Sequence, residues 1–158
     1  MADIEWNDET HALGIAPIDA DHRAVIAALN DARNASTNAF AEAFRTLAAV
    51  TCAHFQNEEA LMTKCGLDDN EHRGEHRRVL GEMEMLLARA EKGRARIARA
   101  FVAERMGAWL DIHIQTLDSA LAAHLARTGF TTEDTPATAP PDGAPDRRTP
   151  GAPPGPGA

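Results

Sequence analysis

The stretch HFQNEEALM, residues 54–62, and the stretch HRGEH, residues 72–76, decide the fold of this chain. His54 and Glu58 are four residues apart in the first stretch, and His72 and His76 have the same spacing in the second. Residues four apart lie on one face of an α-helix, one turn above the other. The two stretches therefore predict two helices, each with a pair of ligand-type side chains on one face.

Four long segments have the periodicity of helices, with apolar residues recurring at steps of three and four. The breaks between them, NAST, CGLDDN and EKG, contain turn and capping residues. No alternating run is long enough to predict a strand. The predicted helices are Ile18–Arg33, Thr37–Cys65, Asp69–Glu91 and Arg94–Arg127. Because the connections are short, we expect an all-α fold, an antiparallel up-down-up-down four-helix bundle.

Two flanking segments complete the predicted domain organisation. Residues 1–17 form an N-terminal arm, and Pro17 precedes the first helix of a bundle assigned to residues 18–130. Residues 131–158 are rich in Pro, Gly and Ala and contain no large apolar side chain, so we expect a disordered C-terminal tail. The arm residues expected to pack on the bundle are Trp6, Leu13 and Ile15.

Composition and charge limit the classes of function. The formal net charge of -8 disfavours contact with a nucleic-acid backbone. No stretch approaches the roughly 18 apolar residues of a membrane span, and the acidic start MADIEWNDET lacks the apolar core of a secretory signal. We therefore expect a cytoplasmic protein. Cys52 and Cys65 are too far apart on one predicted helix to bridge each other, and we expect two buried thiols.

The histidines continue the apolar faces of the predicted helices. His72 and His76 precede Val79 and Met83 at steps of three and four, which predicts that both point into the bundle. The other ligand-type residues in an inward phase are His22, His54, Glu58 and His113. The inward face predicted for the fourth helix comprises Ile97, Phe101, Met106, Trp109, Leu110, His113, Leu117, Asp118 and Leu121. Asp118 lies about 140° round an ideal helix from His113, so spacing alone does not pair these two.

Five inward histidines and two inward carboxylates make a poor core unless something satisfies them, because an unpaired buried carboxylate is costly. One such histidine is typical of an ordinary core, but five together indicate a metal. Seven ligands exceed the four that a tetrahedral zinc takes and suit two metals that share carboxylates. Imidazole with some oxygen suits iron, while zinc and copper remain allowed. The Glu-x-x-His repeat of ferritin-like bundles and the His-Glu-x-x-His of zinc peptidases are both absent.

The combination of motifs resembles the hemerythrin family, in its single-domain bacterial form. The resemblance extends over roughly residues 6–128. The matching pieces are IDADH (18–22), HFQNEEALM (54–62), HRGEH (72–76) and WLDIHIQTLD (109–118). The metal ligands that this resemblance implies are His22, His54, Glu58, His72, His76, His113 and Asp118.

The resemblance also implies a cofactor and a ligand. The cofactor would be two non-heme iron ions, one held by three of the histidines and the other by His22 and His54. Glu58 and Asp118 would bridge the irons together with a solvent-derived oxo or hydroxo oxygen. O2 would bind at the open position of the iron that has two histidines. The apolar residues expected to exclude water from this pocket, or simply to pack in the core, are Phe55, Trp109, Leu110 and Ile114.

Several residues depart from the family pattern or have no place in it. Asp21 stands where Gln is usual, and it is expected to alter the local field, to contact a ligand or to face solvent. Glu59 is expected to be a solvated acid on the helix surface. His124 is expected to cap the far end of the bundle rather than to bind a metal, and His11 has no assigned role.

Three functions are compatible with the sequence. Reversible binding of O2 for carriage, storage or delivery is the leading hypothesis, without enzymatic activity. The first alternative is an O2 or redox sensor, although no attached signalling domain supports it and the protein partner is unknown. The second alternative is an enzyme that handles peroxide or nitric oxide, although no acid–base residue beyond the ligands stands out.

Overall fold

The computed structural model describes residues 2–131, and every regular element in this range is helical. The predicted all-α class is thereby confirmed. Among these residues, no helix combines the length and the apolar character that crossing a membrane requires. The elements are α1 (Asp8–His11), α2 (Ala16–Asn34), α3 (Phe40–Cys65), α4 (Asn70–Ala90), α5 (Arg96–Ala100), π1 (Phe101–Arg105), α6 (Met106–His113), π2 (Ile114–Asp118) and α7 (Ser119–Thr128).

The ends of the long helices follow local chemistry. Pro17 was expected before the first helix but lies in the first turn of α2, where its missing N–H needs no partner. The expected start of the second helix at Thr37 was also wrong, because residues 37–39 form a turn and α3 begins at Phe40. Gly66 ends α3 in the left-handed region at φ 74°. Asp69 caps α4 by accepting the N–H of His72 at 2.9 Å.

The last helical stretch is interrupted, whereas the sequence predicted one continuous helix from Arg94 to Arg127. Two five-residue π-helical segments, π1 and π2, separate the α-helical pieces α5, α6 and α7. A π turn bonds residues five apart instead of four. In π2, the N–H of Ser119 reaches the carbonyl of Ile114, and the Ser119 hydroxyl donates to the same oxygen at 2.8 Å.

The helices pack so that the long elements contact one another side by side. α2 lies against α3, α3 against α4, and α4 against α5, while α2 also contacts π1 and α6, and α3 contacts α7. Two apolar clusters result. The larger one includes Val25, Phe44 and Met83, and the smaller one is formed by Ile18, Leu61, Met62, Leu121 and Leu125.

Buried polar residues lie between the two clusters along the chain. In α2, His22 falls between Ile18 of the smaller cluster and Val25 of the larger one. In α3, Glu58 falls between Phe55 of the larger cluster and Leu61 of the smaller one. The fold therefore places a polar layer inside an otherwise apolar interior.

The N-terminal arm contacts the domain as expected. Trp6 and Leu13 pack against the larger cluster, and Leu13 and Ile15 against the smaller one. Within the arm, residues Asp8–His11 form the short helix α1, which the sequence did not predict. The predicted tail, residues 131–158, lies outside the described residues except for Thr131.

Three burial expectations were wrong. Ile97 was placed on the inward face of the fourth helix but is 52% exposed, because the residue of this first turn that enters the core is its neighbour Ala98. Cys52 and Cys65 were expected to be buried, and both are half-buried free thiols. Their positions on α3 face the edge of the core rather than its centre.

Candidate metal centre

The structure brings the seven sequence-predicted ligand residues together in one buried layer. Each of the seven has an exposed fraction of 2% or less. They form two overlapping groups, and within each group one ligand atom per residue lies within 4.8 Å of all the others. The larger group is Glu58, His72, His76, His113 and Asp118, and the smaller group is His22, His54, Glu58 and Asp118.

The two carboxylates lie at the junction of the groups. Asp118 has one oxygen 3.1 Å from Nε2 of His22 and the other 3.0 Å from Nε2 of His72. Glu58 Oε2 is 3.6 Å from Nε2 of His54 and 3.4 Å from Nε2 of His76. Each carboxylate therefore contacts a histidine of either group.

Segment π2 explains how His113 and Asp118 meet. Their five-residue spacing would point them apart on an ideal α-helix. The π turn between them accommodates one additional residue, so both side chains face the centre. Nε2 of His113 lies 3.1 Å from Oδ1 of Asp118.

The donor set fits metal ions, as its unpaired atoms show. Among the described residues, several buried atoms of this layer lack a hydrogen-bond partner, including both carboxylate oxygens of Glu58 and both ring nitrogens of His54. Nε2 of His76 and Nε2 of His113 converge to 3.1 Å. Buried polar groups without partners are costly, and a cation accepted by imidazole and carboxylate would satisfy them together.

The buried carboxylates of this layer favour positive charge on the groups around them. Burial raises the pKa of the Asp118 carboxyl, but contacts with His113, His22 and His72 outweigh burial and hold that pKa well below its usual range. For His72, burial lowers the pKa, but the Asp118 and Glu58 carboxylates outweigh it and raise the pKa to about 9. A metal would supply this charge while leaving the imidazoles neutral, as ligation requires.

The comparison with protein families bears directly on this arrangement. A family model described as Hemerythrin HHE cation binding domain matches residues 13–126, which is more than half of the chain. The chain belongs to the hemerythrin family. No curated protein and no solved structure matches it significantly. The family resemblance inferred from the four motifs is thus confirmed.

In this hemerythrin domain, the outer nitrogens of two of the histidines, His22 and His76, have partners that set the ring tautomer. Nδ1 of His22 donates to the carbonyl of His11 at 3.3 Å, and Nδ1 of His76 lies 3.0 Å from Oε1 of Glu59. A carbonyl or a carboxylate only accepts, so Nδ1 carries a hydrogen in both rings, and Nε2 faces the centre, where it would be available to a metal. Asp21 Oδ2 approaches Nδ1 of His54 more loosely, at 3.8 Å.

Two of these partners correct or resolve an expectation. Glu59 was expected to be a solvated surface acid, but its side chain is 32% exposed, contacts His76 and faces Arg73 at 3.5 Å. Asp21, whose role was open, contacts a ligand and also accepts a hydrogen bond from Asn57 at 2.9 Å. Interaction with His54 is the main reason that the pKa of Asp21 is lowered.

The four residues expected to form an O2 pocket divide into two pairs. Phe55 stacks on His76 with ring centroids 3.8 Å apart, and Trp109 stacks on His113 at 4.6 Å. Both aromatic rings therefore lie against histidines of the larger group. Leu110 and Ile114 are buried in the larger apolar cluster, each 1% exposed.

Two further residues near the hemerythrin centre, Glu75 and His11, were missed or left unassigned. Glu75 accepts the indole N–H of Trp109 at 2.7 Å, and its pairing with Arg78 is the main reason that its pKa falls to about 2. His11 is buried and contacts Asp111. His124 donates to the carbonyl of Cys65 at 3.0 Å, away from the centre, as expected of a cap.

Proposed function

We propose that this hemerythrin domain binds two iron ions and that it binds O2 reversibly at one of them. The proposed ligands are the seven residues of the buried layer: His22, His54, Glu58, His72, His76, His113 and Asp118. Iron is favoured over zinc because seven imidazole and carboxylate ligands exceed one tetrahedral site and suit two higher-coordinate ions. When bound, the two irons would supply the electrons that O2 binding requires.

One observation carries the proposal, namely that the two ligand groups are unequal. Both groups contain Glu58 and Asp118, but the larger group adds three histidines and the smaller group only His22 and His54. With the carboxylates shared, the ion in the smaller group has one protein ligand fewer. An open coordination position separates a reactive metal site from a structural one. A diatomic ligand fits that position.

The fold that holds this centre is proposed to be an up-down-up-down four-helix bundle. Its four members would be α2, α3, α4 and the interrupted stretch from α5 to α7. The contacts of α2 with α3 and α6, and of α4 with α3 and α5, support a closed ring of neighbours. We assign residues 1–17 to the arm, 18–130 to the bundle and 131–158 to a tail.

The protein's own side chains would exclude water and protons from the open position. Leu110 and Ile114 are buried and lie close in sequence to the proposed ligand His113. The ring centroid of Phe55 lies 5.5 Å from that of His54. Apolar groups around a metal site lower the local dielectric constant and restrict the access of solvent. We propose that Phe55, Trp109, Leu110 and Ile114 slow oxidation of the irons.

Visible spectra of the full chain test the proposal. Protein loaded anaerobically with Fe(II) should contain two irons per chain, and admitting O2 should produce a new absorption band that disappears when O2 is removed. Irreversible oxidation at the first exposure would instead favour a sensor or an enzyme. One metal per chain, or zinc alone after growth with ample iron, would contradict the two-iron centre.

Replacing Leu110 by Ala tests the protective role of the apolar side chains. The ligands are unchanged, so iron content should remain at two per chain while the rate of autoxidation rises several-fold. Leu47→Ala is the matched control, because it removes an equally buried leucine about two turns before His54. Equal autoxidation rates in both variants and the original protein would show that Leu110 packs in the core without protecting the irons.

A further inference from the structure

His11 of the N-terminal arm is buried and held on both sides of its ring. Its exposed fraction is 3%. The backbone N–H of Asn7 donates to Nδ1 at 2.9 Å, and Nε2 lies 2.9 Å from Oδ1 of Asp111 in α6. Since Nδ1 is the acceptor, Nε2 carries the hydrogen and donates to the carboxylate. The side chain therefore ties the end of α1 to the last helical stretch.

The backbone of the same residue contacts the metal layer. The carbonyl oxygen of His11 accepts the Nδ1–H of His22 at 3.3 Å. Among the described residues, this carbonyl is the hydrogen-bond partner of Nδ1, the outer nitrogen of His22. On the inner side, Nε2 of His22 lies 3.1 Å from Asp118. The orientation of His22 thus depends on where the arm holds one carbonyl group.

We propose that His11 is a positioning residue of the metal centre. Its side chain is held by Asp111, and this keeps its backbone carbonyl against His22. The carbonyl contact fixes the tautomer and the ring orientation of His22. Partners of this kind raise the basicity of a ligating imidazole, and their loss typically lowers metal affinity by about 10- to 100-fold. The effect falls on the smaller ligand group, which has only two histidines.

Other contacts hold the arm when this clamp is removed. Asp19 accepts the N–H groups of Leu13 and Gly14 at 2.7 and 3.1 Å. Farther along the arm, the N–H of Ile4 donates to Asn30 at 2.9 Å. Loss of the clamp should therefore leave the chain folded with the arm attached, and change only the position of the carbonyl. The inference rests on the proposed ligand role of His22 but not on O2 binding.

Titration of the metal-free full chain with Co(II) tests the inference, with bound metal counted by elemental analysis and followed in the visible spectrum. The original protein should bind two ions per chain. The His11→Leu and Asp111→Ala variants should still bind one ion tightly, while their affinity for the second ion should fall by about 10- to 100-fold. His11→Gln, whose amide N–H still reaches towards Asp111, and Asp111→Asn, whose amide oxygen still accepts, should restore most of the affinity.

His124→Leu is the matched control, because it removes a histidine that also contacts a backbone carbonyl, that of Cys65, but is not a member of either ligand group. It should bind two ions as the original protein does. If both His11→Leu and Asp111→Ala bind two ions with the original affinities, the role of His11 is overturned and the proposed function stands. An equal loss of affinity for both ions would also overturn the role of His11, since the clamp acts on one ligand group. Fewer than two ions in the original protein would overturn the two-metal centre and this inference with it.

Discussion

Glu59 shows how a single side chain on the outside of the ligand layer affects the ligands. It accepts the Nδ1–H of His76, and Arg73 faces its second oxygen. A carboxylate in this position makes the imidazole a better electron donor and prevents the ring from turning. Glu59 would therefore contribute to the proposed metal centre, although it would touch no metal.

Glu59→Ala should weaken metal binding in the larger ligand group by about 10- to 100-fold, because His76 loses the acceptor for its outer N–H. Titration with Co(II) in the presence of a competing chelator measures the change. Glu84→Ala is the control, since this glutamate is exposed on the same helix as His76. The prediction is wrong if the two variants bind both ions with the same affinities.

At the residue scale, the sequence predicted the seven inward side chains but not their outer partners. The inward phase follows from the helical period, which a single chain contains. Glu59 and His76 are seventeen residues apart on two different helices, and no local pattern encodes the distance between those helices. For His22 the partner is a backbone carbonyl, which every residue has, so no residue type marks it.

The interrupted fourth helical stretch is the feature of most consequence at the scale of elements. The sequence of π2, IQTLD, contains ordinary residues for a helix and no Pro or Gly that would mark an irregularity. The sequence therefore predicted an uninterrupted helix, and on that helix His113 and Asp118 did not pair. Their pairing depends on one additional residue in the turn, which backbone hydrogen bonds reveal and side-chain periodicity does not.

Deleting Gln115, an exposed residue of π2, should be tolerated. Removing one residue converts the π turn into an α turn, leaves His113 and Asp118 four apart on one face, and keeps α7 in register. We expect two irons per chain and a modest fall in melting temperature. Elemental analysis and thermal unfolding of the full chain measure both quantities.

Deleting Gln56 is the matched control. This glutamine is also exposed and also lies between a histidine ligand and a carboxylate ligand, but in the regular helix α3. There the deletion turns Glu58 and all later residues of α3 by about 100° relative to His54, so most of the iron should be lost. Equal loss of iron in both deletions would show that π2 does not simply insert one additional residue into an α-helix.

At the scale of the whole molecule, the polar layer joins elements that are distant in sequence. Its members lie on α2, α3, α4, α6 and π2, between the two apolar clusters. The helical class and the membership of the layer followed from the sequence, because each helix carries its own period. How π1 and α6 lie against α2 did not follow, because packing between elements is not written in any one of them.

Removing the metals with a chelator should lower the melting temperature of the full chain by at least about 10 °C, because ligands that bind only the folded state stabilise it. Readdition of Fe(II) without oxygen should restore the original value. A Glu58→Ala variant should melt close to the stripped protein and should not respond to Fe(II). Identical melting temperatures with and without metal would show that the layer is held by protein contacts alone.

The spread of the buried layer along the chain has a consequence for biosynthesis. The first of its residues is His22 and the last is Asp118, and the two are in contact. While the protein is being made, His22 emerges from the ribosome long before Asp118, so the nascent chain holds an incomplete set of ligands for most of its synthesis. A product that ends before Asp118 would lack one shared carboxylate in both groups. Metal loading would therefore follow translation and distinguish chains synthesised beyond Asp118 from shorter ones.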